Sequence, residues 1–190
     1  MHSDVNQVIA QRFAYAIDHA SAAALGKDAR RLHQAADLLR SWDGQMTTAS
    51  SGAALLSTLR EALWPALLLP QITAHDATGN TSGAAALMRL YTWGERTTAL
   101  ELLVQHQPAR WLPTGFGNWD DFLATVTERA LTASHAPADL QQMRYGKMHT
   151  VELVHPVFGQ HALLARLLGI AGSTGAQPAP GDNTLSLIHI

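Results

Sequence analysis

Apolar residues recur every three or four positions through the first two thirds of the chain, which predicts a series of amphipathic helices. The first helix is expected to start after an N-cap at Ser3 or Asp4, and the second after an N-cap at Asp28. The second should stop at Trp42-Asp43-Gly44, where Gly44 suits a left-handed position after a helix. The two predicted stripes are Val5, Val8, Ile9, Phe13, Ala16, Ile17 and Ala20, then Leu32, Ala36 and Leu39.

Three more helical stretches are predicted before Pro137. One begins near Ser50-Ser51-Gly52 and should kink or end near Pro65, because proline removes a backbone donor. The next runs from about residue 83 to 106 after a turn-rich stretch, with Gly94 as a candidate break. The last follows a loop at 108–118. The apolar positions of the first and last of these are Leu56, Leu59, Leu63 and Leu67, then Trp119, Phe122, Leu123, Val126 and Ala130.

The hydrophobic period changes after Pro137. Residues 149–154 alternate and are β-branched, which predicts a strand, and a short helix is expected at 163–168. Residues 169–182 have the composition of a loop, and the chain looks extended again from Thr184. The expected fold class is mostly α with two or three short strands. Two short strands make a poor sheet by themselves, which is a first indication that other parts belong to this fold.

Composition narrows the functional classes. The 190 residues are 47% hydrophobic and 15% charged, enough for one sizeable core and one domain. A net charge of −2 without runs of one sign disfavours nucleic acid as a partner. The absence of cysteine excludes disulfides, thiolate metal sites and a cysteine nucleophile. The most apolar stretch, 53–69, carries Arg60, Glu61 and Pro65, so it is expected to be a buried helix and not a membrane span.

Six segments, in their order and spacing, resemble the later part of the β chain of the penicillin amidase family, over residues 3–185. That family includes cephalosporin acylases, acyl-homoserine-lactone acylases and aculeacin-type acylases. Tyr145 stands where the family often has Trp, and Pro180 where it usually has Gly. The segments are Leu38-Leu39-Arg40-Ser41-Trp42-Asp43-Gly44-Gln45-Met46, Arg110-Trp111-Leu112-Pro113, Trp119-Asp120-Asp121-Phe122-Leu123, Arg144-Tyr145-Gly146-Lys147-Met148-His149, His155-Pro156 and Pro180-Gly181-Asp182-Asn183-Thr184-Leu185.

The resemblance implies a piece of an α+β, four-layer αββα N-terminal-nucleophile hydrolase, helical over 3–135 and strand-containing over 144–185. Such a precursor cuts itself and exposes a serine whose own α-amine acts as base, since that amine has a pKa near ~8. An asparagine side chain and a backbone N–H hold the oxyanion. The family cleaves linear amides, such as β-lactam antibiotics or acyl-homoserine lactones. The implied partners are the α chain and the rest of the β chain of the same precursor, together with a small-molecule amide substrate; calcium and a periplasmic location are known in the family.

The family's serine typically follows Gly and precedes Asn, and the chain has no such step. Its one Gly-Ser step, Gly172-Ser173, is followed by Thr174, and cleavage there would leave too short a β chain. No catalytic, cofactor-binding or metal-binding residue is therefore assigned, and the isolated chain is expected to be inactive. Residues 186–190 are expected to be a non-native tail.

Two other groups of residues can be weighed as sites. His149, His155 and His161 recur every six positions, but Pro156 breaks the strand between them and no suitable carboxylate accompanies them, so structural roles are expected for His149 and His155. Asp120 and Asp121 are adjacent on a predicted helix and point about 100° apart, which suits a helix N-terminus better than shared acid–base work. Asp43 is a third acid that could be weighed with them.

Two alternatives to the acylase interpretation remain. The amphipathic helices could form a stand-alone binding or regulatory module without catalysis. Alternatively, the chain could be a subunit that complements a separately encoded catalytic part.

Overall fold

The computed structural model describes residues 4–75, 93–155, 162–167 and 173–181 of the chain. The described part is mostly helical, as the apolar periodicity predicted. The helices are α1 (Asp4–His19), α2 (Ala22–Leu25), α3 (Ala29–Ser41), α4 (Ser51–His75), α5 (Trp93–His106), α6 (Trp119–Ala133) and α7 (Ala162–Leu167), and the strands are β1 (Thr150–Val151) and β2 (Gln177–Pro178). Four 3₁₀ turns lie at Gly26–Asp28, Ala109–Trp111, Leu140–Gln142 and Tyr145–Lys147.

Helix α1 is at the centre of the helical part. It packs on α3 and α6 and also contacts α5, while α4 packs on α6 from another side. The predicted apolar stripes of α1 and α3 face this core, where Phe13, Ile17 and Leu39 are fully buried. Burial of one such side chain contributes roughly 1.5–3 kcal/mol. Val8, predicted on the same face of α1, is 40% exposed and marks the edge of the buried stripe.

Helix α4 does not end at Pro65, so that part of the prediction was wrong. The helix runs unbroken from Ser51 to His75 and contains both Pro65 and Pro70. A proline inside a helix costs about 3 kcal/mol because it removes a hydrogen bond and crowds the preceding turn. Leu63, Trp64 and Leu67, which flank Pro65, are almost fully buried, and their burial is large enough to offset that cost.

Helix α5 begins at Trp93 as far as the structure describes it, so the break expected at Gly94 lies at the edge of the described residues and stays a prediction. Gly94 is the second residue of the helix as far as the structure describes it, Trp93–His106. Residues 83–92 of the predicted helix lie outside the described residues.

The strand part is smaller than predicted. Of residues 149–154, Thr150 and Val151 form β1, and Val154 makes an isolated bridge to Ser173. Strand β1 pairs antiparallel with β2, which lies in the stretch 169–182 that was expected to be loop. Proline at the end of a two-residue edge strand needs no N–H for the ladder, so the Pro-rich composition did not prevent pairing.

Other predicted elements fall partly outside the described ranges. The short helix expected at 163–168 appears as α7. The extended stretch from Thr184 and the residues 186–190 lie outside the described part of the chain. Among the helices that are described, none is both long and apolar enough to cross a membrane.

The N-cap of α6 gives the first testable prediction. The Asn118 side chain accepts a hydrogen bond of 2.8 Å from the Asp121 backbone N–H, so Asn118→Ala should lower the free energy of unfolding by about 0.5–2 kcal/mol. Chemical denaturation followed by circular dichroism measures this. Thr132→Ala at the exposed far end of the helix is the control, expected within about ±0.5 kcal/mol. Equal effects of the two substitutions would contradict the assigned cap.

Candidate functional site

Three of the six family-like segments meet at one place, which we call the motif junction: residues 42–46, 145–149 and 179–181. The Gly181 N–H donates to the Met46 carbonyl at 2.8 Å, and the Tyr145 hydroxyl donates to the Gly181 carbonyl at 2.7 Å. The Ala179 N–H donates to the His149 carbonyl at 3.0 Å. Segments more than a hundred residues apart in sequence are therefore joined mainly through backbone groups.

Gly146 lies where two other stretches of chain press against the backbone. Its N–H donates to the Thr48 carbonyl at 2.8 Å. A Cβ at this position would lie 2.8 Å from the Cβ of Thr48 and 2.8 Å from the Cβ of Pro178, closer than real Cβ contacts. Only glycine fits this approach without movement of its neighbours.

The Trp42-Asp43-Gly44 segment ends α3, as predicted. Gly44 has φ 79°, the left-handed conformation that its identity suggested. The Trp42 indole N–H donates to the Gln45 carbonyl at 3.2 Å, and the Asp43 carboxylate accepts from the Gln45 N–H at 3.0 Å. A Cβ on Gly52 would come 2.6 Å from the Trp42 ring, so the start of α4 packs directly on this indole. The Asp43 carboxylate thus stabilises the turn that follows α3.

His149 is held at the junction by two contacts. Its Nδ1 lies 2.9 Å from the Ala179 carbonyl, an oxygen that can only accept, so Nδ1 carries the proton. Its ring stacks on Tyr145 with centroids 5.1 Å apart. These contacts agree with the structural role expected for His149. His161 lies outside the described residues, and within them no group of three or more His, Asp or Glu side chains is placed to bind a metal ion.

A buried polar pair connects two helices to the junction. The Arg60 guanidinium of α4 donates to the Asn6 side-chain oxygen of α1 at 2.7 Å, and the Asn6 amide lies 3.9 Å from the Met46 sulfur. Asn6 is fully buried and Arg60 is 7% exposed. Buried polar groups of this kind need hydrogen-bonded partners. The sequence analysis did not select this pair, although Arg60 interrupts an otherwise apolar run.

The two aspartates at the start of α6 bind different partners. Asp120 forms an ion pair with Arg12 of α1 at 2.7 Å. Asp121 accepts from the Ser21 N–H at 2.7 Å and from the Ser21 hydroxyl at 3.1 Å. The two carboxylates therefore fix α1 and the start of α2 to α6. They do not share one site, in agreement with the expectation from their spacing.

The serines that could be weighed as nucleophiles lie in local turns. The Ser173 hydroxyl is exposed, donates to the Glu152 carboxylate and accepts from the Gly175 N–H at 2.9 Å. The Ser50 hydroxyl accepts from the Ala53 N–H at 3.1 Å and so caps α4, as its position before that helix suggested. Neither geometry is that of a serine activated by its own α-amine.

The Arg40 guanidinium of α3 binds two carboxylates. Hydrogen bonds to the Asp37 and Asp18 side chains raise the pKa of Arg40 above its ordinary value. The group is exposed and stays cationic over the whole working pH range. It links the surfaces of α1 and α3 and offers no proton-transfer chemistry.

The space around Gly146 gives a testable prediction. Gly146→Ala should lower the free energy of unfolding by about 1–3 kcal/mol, because the added methyl overlaps Thr48 and Pro178. Gly117→Ala is the matched control, since a Cβ there has no neighbour within 4 Å; it should change stability by less than about 1 kcal/mol, toward higher stability. Thermal or denaturant unfolding compares them. A Gly146→Ala protein as stable as the control would refute the close approach.

Tyr145→Phe tests the hydrogen bond that closes the junction. The substitution keeps the ring stacked on His149 but leaves the Gly181 carbonyl without the hydroxyl that lies 2.7 Å away. We expect a loss of about 1–3 kcal/mol in unfolding free energy. Tyr15→Phe, at a half-exposed hydroxyl on α1, should have little effect. Unchanged stability in Tyr145→Phe would show that water replaces the donor.

Comparison with known proteins adds a finding that covers nearly the whole chain. The family model described as penicillin amidase matches residues 1–186. A search of curated proteins and a search of solved structures each gave no match. The match includes every segment of the motif junction as well as the first turn of α6. The chain belongs to the penicillin amidase family.

Proposed function

We propose that this chain is the later β-chain segment of a penicillin-acylase-type amide hydrolase and serves as its scaffold, without the catalytic serine. The family match over residues 1–186 supports the hydrolase class. The observation that carries the scaffold role is the motif junction. Its side chains and backbone groups bind one another, as in the Tyr145–Gly181 and His149–Ala179 hydrogen bonds.

In this proposal the chemistry belongs to a serine on another segment of the same precursor. The precursor cuts itself before that serine, whose free α-amine then takes the hydroxyl proton because its pKa lies near ~8. The serine oxygen attacks the carbonyl of a linear amide, and the amine leaves. An asparagine side chain and a backbone N–H stabilise the oxyanion. The four-layer αββα core that holds these groups would be completed by the α chain and the rest of the β chain.

The substrate class, the cellular compartment and the metal ion are proposed from what is known of the family. The substrate is a small linear amide, such as a β-lactam antibiotic or an acyl-homoserine lactone. The compartment is the bacterial periplasm. Calcium stays an expectation from the family; within the described residues no group of three or more His, Asp or Glu side chains lies together.

A stand-alone helical module explains less of the molecule. It accounts for the amphipathic helices up to α6, but not for the stretch after Pro137. That stretch supplies Gly146, His149 and Gly181 to the junction. The family model also covers this stretch, which favours the acylase segment.

The proposal is tested first on the source DNA and then by assay. Sequencing on both sides should extend the reading frame upstream to a Gly-Ser-Asn step. The protein from the extended frame should hydrolyse a chromogenic phenylacetyl amide or a long-chain acyl-homoserine lactone, and the purified 190-residue chain should not. Replacing the serine of that Gly-Ser-Asn step by alanine should reduce hydrolysis to background.

Two glycine variants of the extended protein, Gly146→Ala and Gly117→Ala, test whether the junction is needed for folding and processing. The first should lower the yield of correctly processed enzyme, because it disrupts the junction, and the second should leave the yield unchanged. Hydrolysis by the purified 190-residue chain above background would refute the scaffold role. Absence of a Gly-Ser-Asn step in the surrounding frame would refute the hydrolase segment and favour the non-catalytic module.

A further inference from the structure

A cleft beside the motif junction, lined in part by Lys147 and Met148 of the junction, has the dimensions of a small-molecule site. Its volume is about 370 Å³, within the range of roughly 300–1,000 Å³ typical of ligand pockets. One wall is the chain just after α6, from Ser134 to Pro137. The opposite wall runs from Gln142 to Met148, and Thr58 of α4 also lines it.

The inner part of the cleft is apolar. Met143 is 8% exposed and Pro137 is half-buried, while Met148 at the mouth is 47% exposed. The Thr58 hydroxyl donates to the Ala54 carbonyl at 3.0 Å, so its proton is already used. Methionine side chains adapt to ligands of varied shape because they are unbranched and polarisable. This surface suits a short alkyl chain or a ring.

The rim of the cleft is cationic. Arg144 and Lys147 line it together with His135, and no carboxylate is among the lining residues that the structure describes. The Arg144 guanidinium donates to the Gln141 and Met143 carbonyls at 2.6 and 2.7 Å, which fixes its orientation. Because a guanidinium has five N–H groups, donors remain for an anion.

The acceptors next to the cleft wall are hydrogen-bonded within the chain. The carbonyls of Ala136 and Pro137, which follow the negative end of the α6 dipole, accept from Arg31 at 2.5 and 3.4 Å. Asp139, the carboxylate next in the chain, accepts from the Gln141 N–H at 3.0 Å and from the Gln142 side chain at 3.4 Å. Arg31 also adds a positive charge behind the cleft wall.

We propose that this cleft binds an anionic amphiphile, a medium-chain carboxylate whose alkyl part contacts Met143 and Met148 and whose carboxylate lies at Arg144 and Lys147. The inference rests on the cleft and its charges and does not depend on the proposed hydrolase function. Apolar burial supplies most of the affinity, and the exposed cations select the sign of the head group.

The test uses the 190-residue chain labelled with ¹³C at its methionine methyl groups and titrated with sodium octanoate. The Met143 and Met148 signals should shift together and saturate, while the signal of Met46, which is buried at the junction, should stay in place. Affinity should rise about two- to fourfold per added methylene from butanoate to octanoate. It should fall when salt is raised, because the cations are exposed.

Charge variants test whether the cationic rim causes the preference for an anionic head group. The double variant Arg144→Gln, Lys147→Gln should bind octanoate about three- to tenfold more weakly. The matched control Lys27→Gln, Arg30→Gln loses the same charge at exposed positions outside the cleft and should bind as the unmodified chain does. Octylamine should bind more weakly than octanoate. No saturable shift of Met143 and Met148, or equal binding of octylamine, would overturn the proposal.

Discussion

The approach of two chain segments to Gly146 joins the strand-bearing part of the described structure to its helical part. The backbone at this residue lies between Thr48 and Pro178, with no room for a Cβ on either side. That approach sets where β2 lies relative to the start of α4, and it brings the Tyr145 hydroxyl within 2.7 Å of the Gly181 carbonyl. Much of the strand-bearing part is therefore attached to the helical part through one glycine and the hydrogen bonds around it. Any side chain at this position requires a shift of Thr48 or Pro178.

The helical part and the strand-bearing part are stabilised by different interactions. In the helices, fully buried residues such as Phe13, Leu39 and Leu63 form one continuous apolar core, and burial is the main favourable term. In β1 and the residues just after it, Val151 is 39% exposed and Leu153 is 53% exposed, and backbone hydrogen bonds to β2 and Thr174 hold this stretch. A two-stranded ribbon with exposed apolar side chains is marginal in water. This imbalance agrees with a segment whose strands are completed by other parts of a larger enzyme.

The sequence predicted the helices well where one face is buried and poorly where tertiary contacts override local preference. The stripes of α1, α3 and α6 follow from periodicity, which depends only on which residues meet the core. The continuation of α4 through Pro65 does not follow from periodicity, because it depends on how much apolar area Leu63 and Leu67 bury. The strand β2 was missed since two residues carry no period. At the junction, the glycines were visible as turn signals, but the partners of Gly146 are about a hundred and about thirty residues away and no local pattern encodes them.

The site reveals what the family-like segments do. Trp42 packs on Gly52, Asp120 binds Arg12, and His149 binds the Ala179 carbonyl, so the residues that carry the resemblance are occupied by packing and hydrogen bonds. Sequence resemblance of this kind identifies a fold because packing constraints are spread along the whole chain. Catalysis needs a few groups at one point, and those groups can lie on a different segment. Membership in the penicillin amidase family is shown by the match over residues 1–186; in the function proposed above, the nucleophile belongs to another segment of the same precursor.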